Sequence, residues 1–144
     1  VLLSASHVPV KNEPFNGSWK LNVSKSTFTF PAPRSVLLNI KVAEGSVIIS
    51  EESTSAEGVT ENIGIEAKLD DEVYPVTGAS FADGFAVRSI SADKWATRVY
   101  KSGKKVFSAS LICSENGQSF LEEVEMADGT GATMSLLYER CSKE

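Results

Sequence analysis

The stretch Lys94-Trp95-Ala96-Thr97-Arg98-Val99-Tyr100-Lys101-Ser102-Gly103-Lys104-Lys105-Val106-Phe107-Ser108-Ala109-Ser110-Leu111-Ile112-Cys113 decides the fold class. On both sides of Ser102-Gly103, large apolar residues alternate with small or polar ones, the two-residue period of a strand with one buried face. Ser-Gly supplies the positive φ that a tight hairpin requires, so two antiparallel strands are expected, at roughly 94–101 and 104–113. A plain two-residue turn pairs Val99 with Val106 and Trp95 with Ser110. One face then carries Trp95, Thr97, Val99, Val106, Ser108 and Ser110; the opposite facing puts Arg98, Tyr100, Phe107, Ala109 and Leu111 inside. A slip of one residue exchanges the two sets, and both readings stay open.

The same grammar repeats along the chain. Turn signals fall at Glu44-Gly45, Glu57-Gly58, Asp83-Gly84, Ala92-Asp93, Asn116-Gly117 and Asp128-Gly129. Between them the alternation predicts further strands at roughly 17–24, 35–43, 46–55, 59–69, 85–91, 119–127 and 132–141, which makes nine with the central hairpin. No window carries a helical apolar stripe over three turns, and the long polar segments Ser24 to Arg34 and Asp70 to Gly84 contain prolines. An open meander would leave two long apolar edges, and neither terminal strand has the prolines or many lysines that blunt one. The expectation is one all-β domain over 15–144, an antiparallel up-and-down barrel of about nine strands with little or no helix, after an extended or disordered segment 1–14. Several faces are legible. Trp19, Leu21 and Val23 share one; Phe120, Val124 and Met126 share another with Glu122; Met134, Leu136, Tyr138 and Arg140 share a third. The facing of the strand near 46–55 is open.

Composition narrows function by exclusion. The 144 residues include 14 Lys+Arg against 19 Asp+Glu, a formal charge of −5, with no basic run longer than Lys104-Lys105, which disfavours nucleic acid as a partner. One histidine, His7, and two cysteines, Cys113 and Cys141, do not make a zinc site or a catalytic triad, so no metal and no cofactor are expected. The cysteines either form a disulfide in an oxidising compartment or stay as buried thiols. No apolar stretch approaches the roughly 20 residues needed to span a bilayer, so membrane insertion is not expected. The start Val1-Leu2-Leu3-Ser4-Ala5-Ser6 reads as the end of a secretory signal or as a trimmed start, and favours an extracytoplasmic location with the cytoplasm left open. A monomer or weak dimer is expected.

The segment Phe15-Asn16-Gly17-Ser18-Trp19-Lys20-Leu21 resembles the opening strand of the calycins, the lipocalins and fatty-acid-binding proteins, and Leu137-Tyr138-Glu139-Arg140 resembles their closing strand. That resemblance implies that Trp19 and Arg140 pack together to seal the barrel floor. A further likeness is to small, often exported bacterial proteins, through Gly17-Ser18-Trp19-Lys20-Leu21-Asn22-Val23-Ser24-Lys25-Ser26-Thr27-Phe28 and Tyr74-Pro75-Val76-Thr77-Gly78. It brings fold and export but no activity. The helical lid of fatty-acid-binding proteins has no room between Ser24 and Ser35, which leaves a lidless barrel or one capped by the segment 70–84.

Three kinds of residue carry candidate chemistry. Glu122, inward between Phe120 and Val124, would have its pKa raised in a dry interior and suit proton transfer, with Tyr138 as a second candidate; the bland alternative is a solvated acidic rim shared with Glu123 and Glu125. Glu61 has the same status nearer a turn. Arg98-Val99-Tyr100 matches the Arg-x-Tyr spacing that holds a ligand carboxylate in fatty-acid-binding proteins, here on an earlier strand, with Arg88 able to join; its bland reading is an exposed cationic strand. Tyr74, Phe81, Trp95, Tyr100, Phe107, Phe120 and Tyr138 could line a cavity for a small apolar partner. The functional expectation is therefore binding of a small hydrophobic ligand in the barrel. The alternatives are a cofactor-free cyclase or isomerase of a polyketide- or terpene-like substrate in the same cavity, and a structural or interaction domain with a filled interior.

Overall fold

The computed structural model describes residues 13–141. Among them the chain forms ten strands and no helix: β1 (Gly17–Thr27), β2 (Ser35–Ala43), β3 (Ser46–Thr54), β4 (Thr60–Lys68), β5 (Tyr74–Thr77), β6 (Gly84–Ser91), β7 (Lys94–Lys101), β8 (Lys104–Cys113), β9 (Ser119–Met126) and β10 (Thr133–Arg140). Each strand pairs antiparallel with its neighbours in sequence, and β1 pairs with β10 to close the barrel. The expected up-and-down barrel is thus observed. Of the expected N-terminal segment, only Glu13 and Pro14 lie within the described residues; His7 lies outside them.

The strand that the sequence hides is β5, inside the segment read as a loop. It is four residues long and makes only two register pairs with β4 and two with β6. Such a short strand tolerates Pro75, which has no N–H to give the ladder. The preceding residues help to fill the seam. Asp70 bridges to Arg88, and the Asp71 N–H donates to the Val87 carbonyl at 3.0 Å.

The central hairpin resolves into neither of its two simple facings. Ser102 (φ 52°) and Gly103 (φ 81°) form the tight turn, and Asp83 accepts the Ser102 N–H at 3.0 Å, which helps to hold a non-glycine residue in that conformation. Tyr100 pairs with Lys105, but the register then shifts, so Val99 lies opposite Phe107, Thr97 opposite Ala109 and Trp95 opposite Leu111. Val106 is the extra residue of a β-bulge. The bulge turns the apolar sets of both strands inward together and sends Ser108 and Ser110 outward. Burying a Phe or Leu side chain is worth about 1.5–3 kcal/mol, while one lost ladder bond costs about 1 kcal/mol, so the bulged register wins.

One end of the barrel is a solid floor. Phe15, Trp19, Trp95 and Phe120 are each at most 2% exposed. Phe15 stacks on Trp95 at 4.1 Å between ring centroids, and Phe120 meets Trp19 edge-on at 4.9 Å. The Trp19 indole N–H donates to the Phe15 carbonyl at 3.0 Å. Beneath them the Arg140 guanidinium lies 4.1 Å over the Trp19 ring and donates to the carbonyls of Gly117, Asn16 and Pro14, so the arginine ties the end of β10 and the residues just before β1 to the β8–β9 turn. Gly17 has φ 128°, and a Cβ there would overlap the Arg140 guanidinium. This is the packing that the calycin resemblance implies for the pair. Cys113 and Cys141 are both free thiols; Cys113 is buried, which pushes its pKa up to about 11.

Candidate functional site

Above the floor, inward side chains from every strand except β1 surround a cavity. Its walls are Leu38 and Ile40 on β2, Ile49 on β3, Ile63 and Ile65 on β4, Val76 on β5 and Phe85 on β6. Trp95, Thr97 and Val99 on β7, Phe107 and Leu111 on β8, and Phe120 on β9 complete them, with Phe81 and Ala82 at the β5–β6 loop. The cavity measures about 100 Å³, counted as space for the centre of a water-sized sphere. One water needs roughly 10–15 Å³ on that measure, so there is room for several waters or one small organic molecule.

Four polar side chains interrupt this apolar wall. Glu122 lies on β9 opposite Leu111 and Leu136, in the inward row with Phe120 and Val124. Glu51 lies on β3 opposite Leu38 and Ile63, in the inward row with Val47 and Ile49. Tyr138, on β10, stacks its ring on Phe120 at 4.8 Å and is 5% exposed. Among the described residues, no group donates a hydrogen bond to either carboxyl, and the Tyr138 hydroxyl has no hydrogen-bond partner. Thr97 is different, because its hydroxyl is directed at the Ala109 carbonyl, at 3.5 Å.

These groups perturb one another. Burial pushes the Glu122 carboxyl up to about 7, with the charge of Glu51 adding to the rise. Glu51 is likewise pushed up to about 7 by burial, and then by the charge of Glu61. The Tyr138 hydroxyl is raised well above its ordinary value by burial and by both carboxyls. All three shifts have the same physical origin: a negative charge is costly where water is excluded and another negative charge is near.

The rim is partly ordered by the β5–β6 loop. The Ser80 N–H donates to a Glu61 carboxylate oxygen at 3.2 Å, which holds the loop against the start of β4 and keeps Phe81 at the cavity. Gly78 makes that approach possible. It has φ 84°, and a Cβ there would overlap the Asn62 carbonyl oxygen.

Of the residues nominated by the sequence, Phe81, Trp95, Phe107, Phe120, Glu122 and Tyr138 come together at the cavity. Tyr74, Arg88, Arg98 and Tyr100 do not. Arg98 projects from the outer face of β7, where it donates to the Asp71 carbonyl and carboxylate at 2.6 and 2.8 Å and to the Tyr100 hydroxyl. Arg88 lies 4.0 Å from the same carboxylate, and Tyr74 donates to Asp70 at 2.8 Å. The Arg-x-Tyr pair therefore fastens the β4–β5 connection to the sheet and is spoken for by protein groups. Glu61 is taken up by the rim loop. Glu51 is the acidic cavity residue that sequence reasoning overlooks, together with the aliphatic walls of β2 to β5; the row Val47, Ile49, Glu51 was its only signal, and the facing of that strand was open.

No cluster of potential metal ligands occurs among the described residues, and no helix there is long and apolar enough to cross a membrane. The chain matches no known family profile and no curated protein.

Proposed function

We propose that the protein binds a small hydrophobic molecule inside the barrel. The observation that carries this reading is the cavity itself, walled by branched aliphatic and aromatic residues and interrupted by a few polar groups without protein partners. Binding sites have this composition, since apolar walls supply affinity and few polar groups supply orientation. A barrel evolved only as a scaffold would gain stability by filling the interior, because each lost contact and each inward carboxyl costs free energy. The likeness of the first and last strands to those of the calycins supports the same reading.

The test uses the intrinsic fluorescence of Trp95, whose side chain borders the cavity. Titration with a small neutral apolar probe such as toluene should give a saturable change in tryptophan emission. Ile65→Trp, which fills the cavity, should remove it while leaving a cooperative unfolding transition. A non-saturating response in the parent protein would contradict the reading.

One observation favours a second reading. A carboxyl titrating at about 7 in an apolar cavity beside a second acid is suited to general acid–base chemistry without a cofactor. In that case Glu122 would accept or return a proton, Tyr138 would hydrogen-bond the developing charge, and the walls would fold a polyketide- or terpene-like substrate for cyclisation or isomerisation. Loss of turnover in Glu122→Gln with binding retained would support it, and unchanged turnover would remove it.

A further inference from the structure

We infer that the cavity selects a hydrophobic amine, a small apolar molecule whose protonated nitrogen is received by Glu51, Glu122 and the Tyr138 hydroxyl. The inference rests on the proposed ligand-binding reading and adds the charge of the ligand. It stands on the placement of polar groups around the cavity.

The inward groups that remain open to a ligand are two carboxyls and one phenol, and all three accept hydrogen bonds. Thr97 is directed at a backbone carbonyl, and among the described residues no Lys, Arg or His lines the cavity. Arg88 and Arg98, the cations that could have met an acidic ligand, lie on the outer face with Asp71. A ligand carboxylate would therefore enter an apolar space already holding two acids and no counter-charge. A protonated amine instead supplies the missing donors and the missing positive charge in one group.

Tyr138 gives an observation independent of the acids. It is 5% exposed, its ring is fixed against Phe120, and its hydroxyl ends at the cavity without a protein partner. Buried phenols usually find a partner within the protein, so this one is placed for something that enters. The two glutamates come from opposite parts of the ring of strands, β3 and β9, each in a row that is otherwise apolar at that level. An aliphatic residue at either position would be the more stable choice. Departures of this kind from the local rule are expected where a site is built.

Three probes of one shape test the inference: phenethylamine, 2-phenylethanol and phenylacetate, each titrated by calorimetry at pH 7.5 into the intact protein. The amine should bind at least about tenfold more tightly than the alcohol, and the acid should bind more weakly than the alcohol. Glu51→Gln and Glu122→Gln should each reduce affinity for the amine by about tenfold and leave the alcohol within about twofold. Arg98→Ala should change neither. Equal binding of amine and alcohol, or tighter binding of the acid, would overturn the inference and leave ligand binding standing. Failure of all three probes, together with failure of toluene, would overturn both. Thermal melts of each variant separate a lost site from a lost fold, and Tyr138→Phe, which keeps the ring, should weaken the amine in a folded barrel.

Discussion

The two halves of the barrel interior use the same residue types for opposite ends. At the floor every polar group is answered: the Trp19 N–H meets a carbonyl, and Arg140 meets three carbonyls and the face of an indole. A few ångströms up the same strands, Glu122 follows Phe120 by two residues and Tyr138 precedes Arg140 by two, yet their polar groups face an unfilled space. Satisfied polar groups beneath an aromatic layer make a plug; open ones within an aliphatic wall are what the proposed receptor needs. On the proposed ligand-binding reading, stability and recognition are separated along the barrel axis rather than shared out among loops.

That contrast is broken most strongly at the floor. Trp19→Ala should cost about 3–5 kcal/mol in a denaturant titration, because it removes a fully buried indole and the ring face on which the Arg140 guanidinium lies. If the loss were under about 1 kcal/mol, the floor would not be the stabilising half.

The cavity should behave in the opposite sense. Glu51 and Glu122 titrate near 7 in the folded state and near 4.5 when exposed. The folded protein then binds more protons than the unfolded chain between those values, so stability is greatest below pH 4.5 for these groups and declines as pH rises through about 7. Each shift corresponds to about 3 kcal/mol at most, and the two add to less than twice that because they are coupled. Glu122→Gln should therefore raise stability at pH 8 and flatten the pH profile. A variant less stable than the parent at pH 8 would show the carboxylate to be a structural group.

Two smaller changes sharpen the boundary between the regions. Gly78→Ala, at a positive φ against the Asn62 carbonyl, should cost about 1–2 kcal/mol and speed exchange of a bound small probe by displacing the Phe81 loop. Arg98→Ala removes an ion pair on the outer face, where the two side chains are 32% and 43% exposed. It should cost less than about 1 kcal/mol and leave cavity binding unchanged.

How much of this could be read beforehand follows from the nature of the signals. Alternation and turn residues are local, so the bounds of β2, β7 and β8 agree residue for residue with those read from the sequence. The inward row of β9 with Glu122 was legible for the same reason. The register of β7 against β8 was not, because it depends on whether Val106 is paired or extruded, and that is settled by burial of Phe107 and Leu111 after the barrel closes. β5 was hidden because a four-residue strand containing Pro75 has too few residues to show a period. The Arg-x-Tyr spacing on β7 was visible, but its partner Asp71 is 27 positions away, and no periodicity shows that contact. Glu51 needed the facing of β3, which only its pairing with Leu38 and Ile63 supplies.

The isoleucines offer a direct reading of the central claim, that the space above the floor is a receptor. Ile40, Ile49, Ile63 and Ile65 line the cavity, whereas Ile90 and Ile112 are exposed on the outside. With isoleucine methyls labelled with 13C, addition of phenethylamine should shift the first four signals in a saturable manner and leave the last two in place. Shifts confined to Ile90 or Ile112, or none at saturating probe, would contradict a binding site inside the barrel.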